Sequence, residues 1–409
     1  MSGLRAAAEP YATRFESEVT AVDDRRVWLE STHFFAASGG QPADSGTVGD
    51  VPVEDVRFVD GDVVHVLGDE PTVRAGSRVL CSVDWSKRMY NMRAHTAAHV
   101  CYGAARRVLD DLEYVGLDIG PERVRVELES STRIDDELLV ALDERINRVV
   151  WESRPVSWES VPLREARERG DVLLTDAIED EAFSNGQVRL VTIGEVEEEG
   201  PTIVNATSDP WDVAACGGTH VRNTREIGPV TVLGLSRLDG GVTGIELAVG
   251  PRAIDRRETE KRLTFAASRQ LGVPLAEASD ELSRLDAERR ELVDAVGTLQ
   301  RELVRTRLES AEPFERDGRT WIASVAGVVD STEAGEVAES LAGQLADVVV
   351  IAGDEGSPFA AVATDGSADA TEILEELTDE FGGGGGGSEA LAWGGDFDVP
   401  AEDVIAAIR

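Results

Sequence analysis

The hydrophobic and polar positions of this chain change their period twice. Over residues 15–85 they alternate, or run apolar over short lengths, in "RRVWLE", "VPVEDVRFV", "DVVHVL" and "RVLCSVDW", with Gly, Asp and Pro between them. That pattern predicts short strands. A Gly-rich loop, "HFFAASGGQPADSG", lies between the first two. The stretch "SKRMYNMRAHTAAHVCYGAARRVLDDL" contains no proline and predicts one helix. "ERVRVEL" reads as a strand, and "IDDELLVALDERINRVVWESRP" as a helix ended by Pro155. "EAFSNGQVRLVTIGE", "PTIVNATS" and "GPVTVLGLSRL…TGIELAVG" read as further strands. The first 250 residues therefore predict an α+β region in which strands outnumber helices.

Near residue 251 the period becomes helical. "PRAIDRRETEKRLTFAASRQLGVP" predicts a helix with Pro251 near its start and Gly272 and Pro274 beyond its end. Ala278, Leu282, Leu285, Arg289, Leu292, Val296, Leu299, Leu303 and Thr306 then recur at alternating spacings of four and three. This is a heptad seam, weakened by Arg289 and Thr306 and stopped by Pro313. Either the helix packs within this chain or it forms a coiled-coil hairpin or dimer stalk. From residue 316 the pattern is compact α/β, with "TWIASVAG", "ADVVVIAG" and "FAAVATDG" as buried strands and "TEAGEVAESLAGQL" and "ADATEILEELTDEF" as helices. Six glycines, 382–387, then open "GGGGGGSEALAWGG", which reads as a backbone loop leading into a short helix. Few residues lie beyond it, so a close approach to a ligand or another chain is the better reading than a linker.

Charge narrows the environment. There are 79 acidic and 40 basic residues, net −39, and only Lys87 and Lys261 are lysines. The acidity runs along nearly the whole chain, which fits adaptation to very high salt better than polyanion repulsion. Net charge therefore excludes no nucleic-acid partner. No apolar run reaches the ~18–20 residues of a membrane span, and the N-terminus lacks an apolar signal region. A cytoplasmic location is expected. Cys81, Cys101 and Cys216 are too few and too scattered for a disulfide framework.

Three of the five histidines fall in two short windows, "HTAAH" at 95–99 and "CGGTH" at 216–220. On a helix His95 and His99 share one face, separated by the small residues Thr96, Ala97 and Ala98. In the second window two glycines let the chain bend so that Cys216 and His220 face one point. Three imidazoles and one thiolate suit zinc in tetrahedral coordination. Four protein ligands can close a structural shell. The site can instead be catalytic if zinc positions a substrate while water attacks. His33 and His65 fit no such pattern and are expected on the surface or in the core.

The set "SGGQPADSG", "HTAAH" and "AACGGTHVRNTREIGPV", in this order and at about these separations, resembles the editing module of alanyl-tRNA synthetases and the free-standing alanyl-tRNA editing proteins of the AlaX type. The helical pair and the glycine-run region are similar to the part of the synthetase C-terminal to its editing module, so the chain resembles the long form of the free-standing protein. The resemblance implies an editing region made of a small N-terminal β-barrel-like domain with the Gly-rich loop (1–88) and a zinc-binding α/β domain (89–250). It further implies a helical, coiled-coil linker (251–313) and a C-terminal α/β DHH-associated domain (314–409). "DHH" itself occurs nowhere, which speaks against a phosphoesterase. There is no P-loop, and only a short segment precedes the first expected strand, so no adenylate-forming domain and no aminoacylation are expected.

Residue by residue, the resemblance implies His95, His99, Cys216 and His220 as ligands of one Zn2+ per chain, and Gly39, Gly40 and Gln41 as a substrate-facing loop. Asp212 and Thr219 fall near the expected pocket. Leu117 stands where the family commonly carries a hydroxyl that senses serine. The implied reaction is hydrolysis of alanine tRNA mischarged with serine or glycine. An alanine pocket cannot strongly reject serine, so a second, hydrolytic site is needed. Arg252, Arg256, Arg257, Lys261 and Arg262 are the expected tRNA-facing cations, and residues 251–409 the expected homodimer contact. Two rival readings remain: a tRNA-binding or dimerisation protein with a structural zinc, and an editor of another tRNA such as threonine tRNA.

Overall fold

Six strands at the start of the chain close into a barrel: β1 (Arg14–Asp23), β2 (Arg26–Leu29), β3 (Gly46–Val48), β4 (Val51–Val59), β5 (Asp62–Leu67) and β6 (Arg78–Val83), in the order β1-β2-β5-β4-β3-β6. A short helix, α1 (Leu4–Ala8), precedes them. The computed structural model describes residues 4–170, 172–174, 183–184, 186–194, 210–327 and 329–409, so the strand expected at "PTIVNATS" lies outside the described residues. By contacts the chain divides into two units, 1–264 and 265–409. Alternation places Val19, Val27, Val56, Val63, Leu67 and Cys81 inside the barrel. β1 begins where the first strand is expected, and its inward face carries Ser17 beside Val19, with a bulge between Val19 and Ala21 that shifts the alternation. His65 also points inward, with no exposure. Its Nδ1–H donates to the Val27 carbonyl (3.1 Å) and its Nε2 meets the Thr32 hydroxyl (2.9 Å).

The loop between β2 and β3 carries the Ser-Gly-Gly-Gln run and is pinned at its base. Asp44 accepts the Phe35 amide at 2.7 Å and is ion-paired with Arg88, both side chains being fully buried. Arg88 also donates to the carbonyls of Pro10 (2.7 Å) and His33 (2.6 Å). Breaking such a pair leaves an uncompensated buried charge, at a cost of about 3–5 kcal/mol. Arg88 lies on the long helix α2 (Trp85–Ala105), so this pair fixes the loop against that helix.

Asp84 caps α2 by accepting the amides of Ser86 and Lys87. The helix is buried on most faces, which its small residues Ala94, Ala97, Ala98, Ala104 and Ala105 permit. It ends at Ala105, short of the expected Leu112. The Leu109 amide turns back to the Ala105 carbonyl at 2.9 Å, which buries Leu109 in the core, and an apolar residue buried this way mimics helical periodicity in the sequence.

Strands β7 (Glu113–Ile119) and β8 (Val124–Glu129) come next, then helix α3 (Asp136–Glu152), whose Ser153 takes the left-handed conformation at φ 59. After it lie β9 (Val156–Pro162), α4 (Leu163–Glu168), β10 (Phe183–Ser184), β11 (Gln187–Ile193), β12 (Asp212–Ala215), β13 (Val230–Arg237) and β14 (Thr243–Val249). They make two sheets, one ordered β13-β14-β8-β7 and one ordered β10-β11-β12 with β9 on β11. Val124, Val126, Leu128, Ile245 and Leu247 pack with Met92, Val100 and Cys101 of α2 and with Leu142 and Ile146 of α3. Truncating such a residue to alanine costs about 2–5 kcal/mol. Helix α5 (Pro251–Leu271) succeeds β14.

In the second unit, α6 (Ala278–Ser310) buries Val304 and Leu308 near its C-terminus, while Leu292 is 59 % and Leu299 64 % exposed. The unit's sheet has six strands in the order β15-β16-β17-β18-β20-β19. It is built from β15 (Phe314–Arg316), β16 (Arg319–Val325), β17 (Val348–Gly353), β18 (Phe359–Thr364), β19 (Gly384–Gly387) and β20 (Leu391–Gly395), with helices α7 (Ser331–Leu341), α8 (Ala370–Phe381) and α9 (Ala401–Ile408). Only β16 and β17 pair in parallel. The glycine run corrects the sequence expectation: it forms strand β19, and the residues expected as a short helix form β20, antiparallel to it. A Cβ on Gly385 would stand 2.6 Å from the Trp393 carbonyl oxygen, and one on Gly387 would stand 2.3 Å from that of Leu391. Glycine there permits close strand pairing, a use that composition alone reads as a loop.

Candidate metal centre

α2 and the turn after β12 bring four ligand atoms together. His95 and His99 lie one turn apart on α2, and their rings stack at 5.4 Å between centroids. Asp212 and Cys216 are separated by four residues along β12 and its extension, so the period of two turns both toward α2. The ligand atoms of His95, His99, Cys216 and His220 all lie within 4.8 Å of one another. Cys216 Sγ is 3.4 Å from His95 Nε2 and 3.2 Å from His220 Nε2. A tetrahedral zinc shell with bonds of ~2.0–2.3 Å sets its ligand atoms about 3.3–3.6 Å apart. The donor set and its spacing therefore fit such an ion.

Each imidazole is held by its other nitrogen. The Nδ1–H of His99 donates to Asp212 Oδ2 (2.7 Å), that of His95 to Gln41 Oε1 (3.0 Å), and that of His220 to Thr96 Oγ1 (3.2 Å). The Thr96 hydroxyl spends its own proton on the Met92 carbonyl at 2.8 Å, which leaves its lone pairs for His220. These bonds fix the tautomers and turn Nε2 inward. Gln41 also accepts the Thr219 amide (3.0 Å) and donates to its hydroxyl (2.9 Å). Gly218 is required for closeness: a Cβ there would stand 2.2 Å from His95 Cε1.

The electrostatics suit a thiolate ligand. Burial raises the Cys216 thiol, but His95 and His220 outweigh it and hold the group well below the ordinary value of 9.0. Its Sγ also accepts the Gly218 amide at 3.4 Å. Burial opposes a proton on His99, yet Asp212 and Cys216 hold one there up to about 10. Burial, with the neighbouring His95 and His99 charges, lowers His220 to about 3. A cation held by Cys216 Sγ and the inward-facing imidazole nitrogens would favour the thiolate and neutral rings, with His99 Nδ1–H still donated to Asp212.

A cavity of about 200 Å³ opens against this ring. Gly39 and Gly40 form one wall with Leu117, and Tyr102, Tyr114 and Gly218 help to close it. Gly40 has φ 74, and a Cβ there would stand 1.8 Å from the Leu117 carbonyl oxygen, while the Gly40 carbonyl accepts the Ile119 amide at 2.9 Å. The strand carrying Leu117, β7, thus seats the glycine loop. Among the described residues no carboxylate lines this cavity. Gln41, Thr219 and Asp212 lie behind the ligand ring, 1 %, 0 % and 2 % exposed.

Sequence reasoning overlooked Thr96, counted as a spacer, as well as Tyr102 and Tyr114. The only signal for Thr96 was a hydroxyl on a buried helix between two metal-ligand candidates. His65 lies in the barrel and His33 in the loop between β2 and β3, and neither belongs to the four-residue cluster. Of the cations expected to face RNA, Arg252 is paired with Glu122, Arg256 with Glu260 (2.6 Å) and Arg262 with Glu258 (2.6 Å). Arg257 donates to the Val230 carbonyl at 2.6 Å. Lys261 has no carboxylate partner among the described residues.

Residues 188–246 match the family model of the threonyl and alanyl tRNA synthetase second additional domain. Alanine–tRNA ligase of Pyrococcus abyssi is 29 % identical over 98 % of this chain and 42 % of its own length. The ligase of Methanopyrus kandleri is 33 % identical over 91 % of this chain and 40 % of its own length, and that of Thermococcus kodakarensis 31 % identical over 98 % and 42 %. The chain thus spans about two-fifths of the length of the curated relatives it matches. No helix among the described residues is long and apolar enough to cross a membrane.

Proposed function

We propose, for a chain that belongs with the alanyl-tRNA synthetase-related editing proteins, that it hydrolyses the ester of alanine tRNA mischarged with serine, and also that charged with glycine. The observation that carries this reading is the position of the His95–His99–Cys216–His220 ring: it forms one side of a small cavity whose other side is the glycine loop. A purely structural zinc gains nothing from facing a cavity.

Zinc bound there supplies a Lewis acid that orients the aminoacyl group and polarises its ester. The chain's own residues do the rest. Gly39 and Gly40, lacking side chains, let the aminoacyl end approach their backbone. Leu117 and the rings of Tyr102 and Tyr114 limit the cavity to a small side chain and reduce bulk water around the ester. Gln41 and Asp212 act on substrate through His95 and His99, which they hold, and Thr219 acts through Gln41. With no carboxylate in the described wall, the proton acceptor is a water or the terminal hydroxyl of the RNA itself. The 409 residues act by hydrolysis without ATP, in the cytoplasm.

The test is a panel of purified mischarged tRNAs: seryl-, glycyl- and alanyl-tRNA(Ala), and seryl-tRNA(Thr). Seryl-tRNA(Ala) should be hydrolysed fastest, and Gln41→Ala should slow it. Preference for the threonine tRNA would move the assignment to that substrate, and inactivity on every member would leave a binding protein.

A further inference from the structure

A seryl ester differs from an alanyl ester by one hydroxyl, and an apolar wall turns that difference the wrong way. A serine hydroxyl seated against apolar groups loses its water without replacement, so such a cavity would take the alanyl ester in preference. The wall beside the ligand ring is largely apolar: Ala98, Leu117, Leu173, Ala214 and Ala215 line it. Two phenols, Tyr102 and Tyr114, interrupt it. A phenol both donates and accepts, which is what a second hydroxyl needs.

Tyr102 is the better placed of the two. It lies on α2 three residues after His99, so the two side chains share a face of the helix. Long side chains on a helix lean toward its N-terminus, here toward the turn of Ala98 and His99, which line the same cavity. Tyr102 is 5 % exposed and sits in the core around α2, whereas Tyr114 is half-buried near the start of β7. The Tyr114 ring meets the Tyr102 ring edge-on, with centroids 5.5 Å apart at 85°. A ring held in this way loses little freedom when its hydroxyl is engaged. A phenylalanine would fill the same core, so packing accounts for the ring and not for its oxygen.

We propose that the Tyr102 hydroxyl selects serine, by hydrogen-bonding the side-chain hydroxyl of a seryl ester held in the cavity beside the His95–His99–Cys216–His220 ring. The proposal rests on the deacylation reading and names the group that reads its substrate. Glycine has no side-chain hydroxyl and alanine offers only a methyl, so neither ester gains this bond. The phenol meets the side chain of the substrate and not its ester, so its loss lowers discrimination and leaves the zinc ligands in place.

The experiment uses the full chain in KCl at which circular dichroism shows it folded, with zinc content and melting as controls. Isothermal titration measures binding of hydrolysis-resistant adenosines that carry serine or alanine through a 3′ amide, and kcat/KM is measured on seryl- and glycyl-tRNA(Ala). The parent should bind the seryl amide about tenfold more tightly than the alanyl one, the scale of one uncharged hydrogen bond. Tyr102→Phe should remove that preference and lower the seryl-to-glycyl ratio of kcat/KM by about tenfold. Tyr114→Phe should keep both. Equal binding of the two amides by the parent, or an undiminished preference in Tyr102→Phe, overturns the proposal. So does a loss that falls equally on seryl and glycyl esters, which marks packing, or one carried by Tyr114→Phe instead. A parent that prefers the seryl amide through Tyr102 yet hydrolyses no ester sinks the proposed activity and leaves the recognition standing. An active chain whose serine preference ignores Tyr102 sinks the recognition alone.

Discussion

Each histidine of the ligand ring leans on a different acceptor: a carboxylate for His99, an amide oxygen for His95 and a hydroxyl for His220. The carboxylate is the strongest of the three, so Asp212→Asn should weaken zinc affinity by about 10–100-fold, the usual cost of losing such a support. Competition against a fluorescent chelator measures it, and an unchanged affinity would show that Asp212 does not orient His99. His65 gives a test away from the ring. Burial lowers its pKa from 6.5 to about 4. Between those values the unfolded chain binds a proton that the folded chain refuses, so stability rises with pH across that window and is lost as pH falls through it. The span corresponds to about 3 kcal/mol. Urea midpoints from pH 7 to 4.5 should fall in the parent and fall less steeply in His65→Leu; parallel slopes would refute the role. The gathering of His95, His99, Cys216 and His220 was legible in the sequence, because a helix face and a glycine bend are local devices. Thr96 was not, because its partner His220 is 124 positions away and only the fold joins them.

At the scale of elements, alternation and heptads read well where one face is uniformly apolar. They failed where glycine does the work of a strand, as in β19. They also ran α2 past Ala105, since a buried Leu109 keeps the helical spacing. The seam of α6 was readable, and Leu282, Leu292, Val296 and Leu299 are exposed in this chain. We propose that a second copy covers them. Burying a leucine is worth about 1.5–3 kcal/mol. Leu292→Glu with Leu299→Glu should therefore weaken association by about 100-fold or more, seen by light scattering as monomer where the parent is dimer. A parent that is monomeric at tens of micromolar, or a variant that stays dimeric, removes the stalk interface.

Across the whole molecule, the net charge of −39 is a standing self-repulsion that only salt relieves. Melting tracked by circular dichroism should show a folded chain in molar KCl and a partly unfolded one at ~50 mM, where the Debye length is near ~14 Å. Equal stability in both would end the salt-adaptation reading. The similarity to alanine–tRNA ligases covers over nine-tenths of this chain but only about two-fifths of those proteins, so activity has to be measured on these 409 residues themselves. The most direct measurement is the rate of seryl-tRNA(Ala) hydrolysis in molar KCl by zinc-replete chain, by chelated chain and by Cys216→Ala, with alanyl-tRNA(Ala) as control. The account predicts rapid loss of seryl but not alanyl ester with zinc bound, and near-background rates in the other two. Full hydrolysis by the chelated chain or by Cys216→Ala, or none by the zinc-replete one, would contradict it.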